Sequence, residues 1–296
     1  MLIASLAASV LWPEDRVHIT PRPRPVVSHA NLRLDVQLLE IPVTVTDLRG
    51  QPLIDLRQDA FHVFEDEVER PISAFSIVDA PISATLVFDS SRSMKGRIGD
   101  ARAAVEQFLK MSAPGDEFSL IRFSDRAQLL TPFTQNWETI SRDLSAVQPG
   151  GWTALFDAVG LAMHQARKGR NQRKVLVVLS DGEDNNSRYS LTELISMLRE
   201  ADVQVYAVTM FERPRSLERM AEETGGRTLW LRKLDDLPSA VETLNRQIRS
   251  EYLIGCVPGA IENDGKYHRL RVEVQPPPGM ERIRTSWRRG YTSPLE

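Results

Sequence analysis

Two hydrophobic periods alternate along the chain. From Asn31 to Asp79 the period is two: Leu32, Leu34, Val36 and Leu38 alternate with polar residues, and so do Ile41, Val43 and Val45. Strict alternation predicts half-buried β-strands. Phe61 to Glu65 (FHVFE) and Ile72 to Val78 predict two further strands, with EDEVERP as the hairpin connection and Asp47 to Gln51 (DLRGQ) as a turn. So few short strands have little core of their own to bury.

From Ala84 the pattern changes to strand and helix in turn. Leu86, Val87 and Phe88 form an apolar run too short for a helix, which predicts a buried strand. Ile98, Ala101, Val105, Phe108 and Leu109 then mark one helix face over Arg97 to Met111. Strands follow at Glu117 to Phe123, Gln128 to Thr131, Lys174 to Ser180, Val203 to Thr209 and Arg227 to Leu231. Helices are expected at Trp137 to Val147, Ala154 to Lys168, Leu191 to Ala201, Leu217 to Thr224 and Leu234 to Ser250. KVLVVLS at 174–180 is continuously apolar, as a strand covered on both faces requires. After Ser250 the period returns to two, through Tyr252, Ile254 and Cys256, then Leu270, Val272 and Val274. Asn263-Asp264-Gly265 reads as a hairpin turn, and a last short strand is expected near Ile283 to Trp287.

The fold class this predicts is α/β: a doubly wound, mostly parallel sheet with helices on both faces, inserted in a small β-sandwich. The sandwich is formed by the N- and C-terminal segments, since neither suffices alone. The chain divides into residues 1–30, an apolar start and extended linker; 31–80, the first β segment; 81–250, the α/β domain; and 251–296, the second β segment.

Composition narrows the function classes. The 296 residues are 42% hydrophobic, enough for a real core, and 37 basic against 40 acidic side chains leave a net charge of −3. Neither nucleic acid nor an anionic membrane surface is implied as a partner. Cys256 is the single cysteine, so there is neither an internal disulfide nor a cysteine-based metal site. Met1 to Trp12 is apolar but falls short of the ~20 residues of a membrane span, so no transmembrane segment is expected. It resembles the core and small-residue end of a secretory signal without the preceding basic region. The expectation is a truncated signal peptide and an exported protein (periplasmic, cell-surface or secreted), with the cytoplasm as alternative. PRPRP at 21–25 reads as an extended linker.

The candidate chemistry lies where strands end. Asp89, Ser91 and Ser93 follow the first buried strand at alternate positions; Thr153 lies in the Gly150-Gly151-Trp152-Thr153 loop before a helix; Asp181 ends KVLVVLSDG. In a doubly wound sheet, ligands bind beyond the carboxyl ends of strands at a topological switch point. Two carboxylates and three hydroxyls suit a hard cation such as Mg2+, which keeps waters and leaves a position free. An Asp or Glu of a partner could complete that sphere.

These segments resemble the von Willebrand factor type A domain, whose metal-ion-dependent adhesion site is written DxSxS, a loop Thr and a loop Asp. They fall on Asp89, Ser91, Ser93, Thr153 and Asp181. GGWTALFDAV and VLSDGEDN resemble the family's flanking patterns. IPVTVTDLRGQPL, DAFHVFEDE, YLIGCVPG, NDGKYHRLRVEV and RRGYTSP resemble bacterial VWFA-related domain proteins, so the resemblance covers about Leu32 to Pro294. It implies a non-catalytic module binding Mg2+ (or Mn2+ or Ca2+), and through it an acidic residue of a protein partner. Three departures stand out. Arg92 occupies a usual Gly position, where an unusual backbone angle that Gly tolerates and Arg resists is expected, and it puts a cation near the metal; Trp152 adds bulk before Thr153; Glu67 replaces a turn-former.

Other readings compete. Asp89 or Asp181 alone could be a turn or cap residue. A scaffold without metal is one alternative function. A Mg2+-dependent, aspartate-based phosphohydrolase with Asp89 as nucleophile is another, but Ser91 stands where its general acid belongs. Asp157 reads as a helix-surface acid, with a partner behind the metal ligands as the alternative, and Glu183, Asp184, Asn185 and Asn186 as either a partner-contacting rim or a solvated loop. Asp125-Arg126 reads as a turn. The histidines at 18, 29, 62, 164 and 268 have no metal-ligand spacing, and Trp137, Trp230 and Trp287 read as packing anchors.

Overall fold

In the computed structural model β1 (Leu39–Thr46) fully buries Ile41, Val43 and Val45, the alternating face read from the sequence. The structure describes residues 38–210, 213–259 and 265–293. The signal-like start, the PRPRP linker, Leu32 to Val36 and Asn263-Asp264 lie outside these residues.

β2 (Phe61–Glu65) and β4 (Ile72–Val78) have the expected bounds. The EDEVERP connection does not: Val68–Arg70 is a strand of its own, β3, paired antiparallel with β2. Only Asp66 and Glu67 turn the chain, both left-handed at φ 46° and 66°. Two positive φ values match the twist of a two-residue hairpin.

The α/β part comprises β5 (Ile82–Asp89), α1 (Ile98–Lys110), β6 (Glu117–Phe123), β7 (Ala127–Thr134), α2 (Trp137–Ser145), α3 (Leu155–Ala166), β8 (Arg173–Ser180), α4 (Leu191–Glu200), β9 (Gln204–Met210), α5 (Arg215–Thr224), β10 (Thr228–Leu231) and α6 (Leu237–Arg249). Its sheet runs β10-β9-β8-β5-β6-β7. All pairs are parallel except β6 with β7. β7 is longer than the four residues expected, and a short 3-10 turn at Leu234–Asp236 precedes α6.

β5 is buried at every position. Its alternate side chains enter two cores, as the pleat requires. Leu86 and Phe88 pack with Phe108 of α1, Leu144 of α2 and Leu244 of α6. Val87 packs with Leu155 of α3, Leu194 of α4 and Leu217 of α5. The helix face read over Arg97 to Met111 is therefore the face α1 buries.

β11 (Glu251–Cys256), β12 (Tyr267–Val274), β13 (Arg284–Trp287) and β14 (Gly290–Thr292) complete the chain. With the first four strands they build two antiparallel sheets, β13-β1-β11-β4 and β14-β12-β2-β3. Ile41, Val43, Tyr252 and Ile254 of the first pack with Phe61, Val63, Leu270 and Val272 of the second. Val78 at the end of β4 pairs with Glu251 at the start of β11. The α/β part thus leaves and re-enters the sandwich at one place.

The order places the site. β5 lies between β6 and β8, and the chain passes to opposite sides of it in turn. The carboxyl ends of β5 and β8 flank that switch point.

Candidate metal site

Asp89 ends β5 and is wholly buried. Its Oδ1 accepts the Ser91 backbone N–H at 2.8 Å and its Oδ2 the Ser180 hydroxyl at 2.5 Å. Burial pushes the Asp89 carboxyl up from its ordinary value, the Asp181 charge adds to this, and the bonds from Ser180 and Ser91 oppose it. Ser91 Oγ meets Ser93 Oγ at 2.9 Å, and Ser93 Oγ donates to Asp181 Oδ1 at 2.7 Å. Four of the five expected residues therefore form one hydrogen-bonded chain across the ends of β5 and β8. It runs from buried Asp89 through Ser93, which is exposed, to buried Asp181.

Thr153 is held beside them through its backbone. Its N–H donates to Asn185 Oδ1 at 2.8 Å, and its carbonyl accepts the N–H groups of Asn185 and Asn186 at 3.0 and 3.2 Å. The preceding glycines dock on the first segment: Gly150 N–H donates to Ser90 O at 2.8 Å, and Arg92 N–H to Gly151 O at 3.1 Å. Gly151 sits at φ +81°, and a Cβ there would fall 2.5 Å from Asp125 Oδ2. Glycine is required by both backbone and space. Trp152, before Thr153, is 63% exposed.

The bracing residues are mostly ones to which the sequence assigned another role. Asp125 does more than turn the chain: its Oδ1 accepts the Trp152 N–H at 2.8 Å. Ser180 was not singled out, and its position directly before Asp181 was the available signal. Asp157 is not a solvated helix acid. It accepts the N–H groups of Arg188 and Tyr189 at 3.0 and 3.3 Å. The polar loop after Asp181 braces as well: Asp184 accepts the Phe156 N–H at 3.1 Å, and Glu183 holds Arg215 N–H and Ser216 Oγ at 2.8 and 2.6 Å.

Arg92 also departs from expectation. It adopts no left-handed backbone; the non-glycine residues with positive φ among those described are Asp66 and Glu67. Its side chain is exposed. The cation that touches the site is Arg97, whose Nη1 donates to Asp181 Oδ2.

The donor set consists of carboxylate and hydroxyl oxygens, the chemistry that fits a hard divalent cation. Asp89 supports the fit. Among the described residues its partners are hydroxyl and amide donors, with no cation paired to it in a position where burial disfavours its charge. No group of three or more His, Cys, Asp or Glu side chains converges as a metal cluster among the described residues. The hydroxyls are therefore integral to any cation site here. His62 and His268 pair instead with Glu69 and Asp66 at 2.8 and 2.7 Å.

Comparison with known proteins bears on the fold around this site. Residues 85–183 match the sequence model of the von Willebrand factor type A domain, a stretch holding all five residues. Among solved structures, a von Willebrand factor type A protein from Catenulispora acidiphila aligns with 89% of this chain and 75% of its own at 11% identity, with a TM-score of 0.54. Proximal thread matrix protein 1 from the mussel byssus, with a zinc-occupied MIDAS motif, aligns with 62% of this chain and 50% of its own at 19% identity, with a TM-score of 0.53. The chain thus spans about half the length of the mussel protein. At such identities the likeness is one of fold. No curated protein matches the chain significantly. Residues 85–183 thus match the von Willebrand factor type A domain model, and the α/β part that contains them has that domain's fold.

Proposed function

We propose that the chain is a non-catalytic binding module in which Asp89, Ser91, Ser93, Thr153 and Asp181 hold Mg2+ (or Mn2+ or Ca2+) and capture an acidic residue of a protein partner. The observation that carries this reading is the buried Asp89 carboxylate, joined through Ser91 and Ser93 to Asp181 and open to solvent at Ser93. A bound divalent ion supplies charge and a position for one external carboxylate. The protein's part is orientation: Ser180 and the Ser91 N–H fix the Asp89 oxygens, and the Gly150–Thr153 loop is pinned between Ser90 and Asn185. Exposed Trp152 offers apolar contact beside the charge, a pairing typical of interface anchors.

The phosphohydrolase reading is less well supported. Its nucleophile, Asp89, is fully buried with both oxygens engaged, and Ser91 offers no acid. A metal-free scaffold has one observation in its favour, the Arg97 contact with Asp181. We place the module outside the cytoplasm on the signal-like character of Met1 to Trp12; fractionation of cells expressing the natural gene tests that.

The binding reading is tested by panning displayed random peptides against the full chain in Mg2+, and again in EDTA. Enrichment of Asp or Glu in Mg2+, lost in EDTA and in Asp89→Ala, is expected. Peptides selected equally under all three conditions contradict metal-assisted capture.

A further inference from the structure

Arg97 sits awkwardly for its own helix. It is the residue before α1, its side chain provides no cap, and it puts a cation at the positive end of the helix dipole. The turn that places it is tightly made. Arg97 N–H donates to Met94 O at 2.9 Å, Met94 is fully buried, and Gly96 takes φ +89°. From there the guanidinium reaches across to Asp181 Oδ2, while Ser93 occupies Oδ1. The Asp181 side chain is fully buried, whereas that of Arg97 is 34% exposed. One partner is fixed, and the other has open solvent to retreat into. A local rule broken where such a contact forms marks a functional position.

We propose that Arg97 is a built-in counter-cation that competes with the divalent ion for Asp181, and so sets how tightly the site binds metal. This rests on the reading of the site as a metal site. A guanidinium on Asp181 already supplies the charge that an ion would bring. A second cation on the same carboxylate would stand within a few ångströms of the first and be repelled by it. The site therefore has two arrangements. In one, Arg97 lies on Asp181 and the metal is absent; in the other, Arg97 has swung to solvent and Asp181 serves the metal. Ligand affinity is reduced by whatever fraction of molecules holds the first arrangement. The device keeps the buried carboxylate compensated without metal and makes occupancy respond to metal concentration.

The test uses the full chain, stripped with EDTA and exchanged into metal-free buffer. Mg2+ is titrated calorimetrically into wild type, Arg97→Met and Arg97→Lys, and each is melted with and without Mg2+. A hydrogen bond between charged partners corresponds to roughly a ten- to hundredfold change in binding. Partial exposure of Arg97 argues for about the lower figure. Arg97→Met is expected to bind Mg2+ about tenfold more tightly, melt lower than wild type without metal and gain more from Mg2+. Arg97→Lys, which keeps charge but loses the fork, should fall between, and it carries the test if Arg97→Met does not fold. Binding by Arg97→Met with none by wild type is the extreme form of the expected result. Equal or weaker binding by the variants, with wild type binding normally, overturns the competition and leaves the metal reading standing. No binding by any of the three overturns both, and wild type's own titration separates the two failures.

Discussion

Replacing Gly151 by Ala tests how the Thr153 loop is held. A Cβ at Gly151 adds two costs. The left-handed backbone at φ +81° costs an L-residue about 1–2 kcal/mol. The new carbon would also lie 2.5 Å from Asp125 Oδ2, so that side chain must leave and lose its 2.8 Å bond from the Trp152 N–H. A bond to a charged acceptor contributes about 1.5–3 kcal/mol when buried; Asp125 is exposed, so about 1 kcal/mol is the appropriate figure. Gly151→Ala should therefore destabilise by about 2–3 kcal/mol, or about 3–5 °C in Tm for a chain of this size. Asp125→Ala alone should cost about 1 kcal/mol. The two effects share one carboxylate, so the double variant should cost no more than Gly151→Ala, a coupling of about 1 kcal/mol. Urea unfolding of the three variants measures the cycle. Strict additivity, or a neutral Gly151→Ala, would refute the claim that Asp125 and Gly151 together set the loop.

The sandwich offers two further predictions. Glu67 stands in the left-handed region at φ 66°, and its ion pair with Arg271 is exposed and worth little; Glu67→Gly should raise stability by about 1 kcal/mol, read as a small rise in Tm, and a fall in Tm would contradict it. Glu65 is buried, which alone would raise its pKa, yet bonds from Tyr291, Gly259 and Arg70 outweigh burial and hold it below the ordinary 4.5. A lowered pKa means stability that is present above the ordinary value and lost as pH falls through the folded one. Glu65→Gln should accordingly cost about 1–3 kcal/mol at pH 7, with the gap to wild type closing in melts as pH falls below the ordinary 4.5 and through the lowered folded value; a gap that does not change with pH would contradict the assignment.

Legibility followed the range over which each feature is decided. KVLVVLS and ATLVF announce buried parallel strands because a strand covered on both faces must be apolar throughout. Gly225 ends α5 in the left-handed conformation, at φ 81°, so the stop after Thr224 is legible in the Gly225-Gly226 pair that follows it. Val68–Arg70 and Gly290–Thr292 were missed: three residues carry no period, and both strands lie at sheet edges. The five site residues were legible as a motif in order. Their bracing was not. Asp125 meets Trp152 27 positions away, and Ser180 meets Asp89 91 positions away, contacts that only the folded sheet creates. Arg92 and Arg97 show the same limit. Arg92 lies inside DxSxS and Arg97 four residues after it, and only the turn at Gly96 decides that Arg97 is the one to reach Asp181.

The central claim is that this constellation holds a divalent cation. Calorimetric titration of Mg2+ into the EDTA-stripped wild-type chain, with Asp89→Ala as the control, tests it most directly. The account predicts one ion per chain for wild type and none for Asp89→Ala. Saturable binding of equal strength in both proteins, or no binding by either wild type or Arg97→Met at any Mg2+ concentration that leaves them folded, would contradict it.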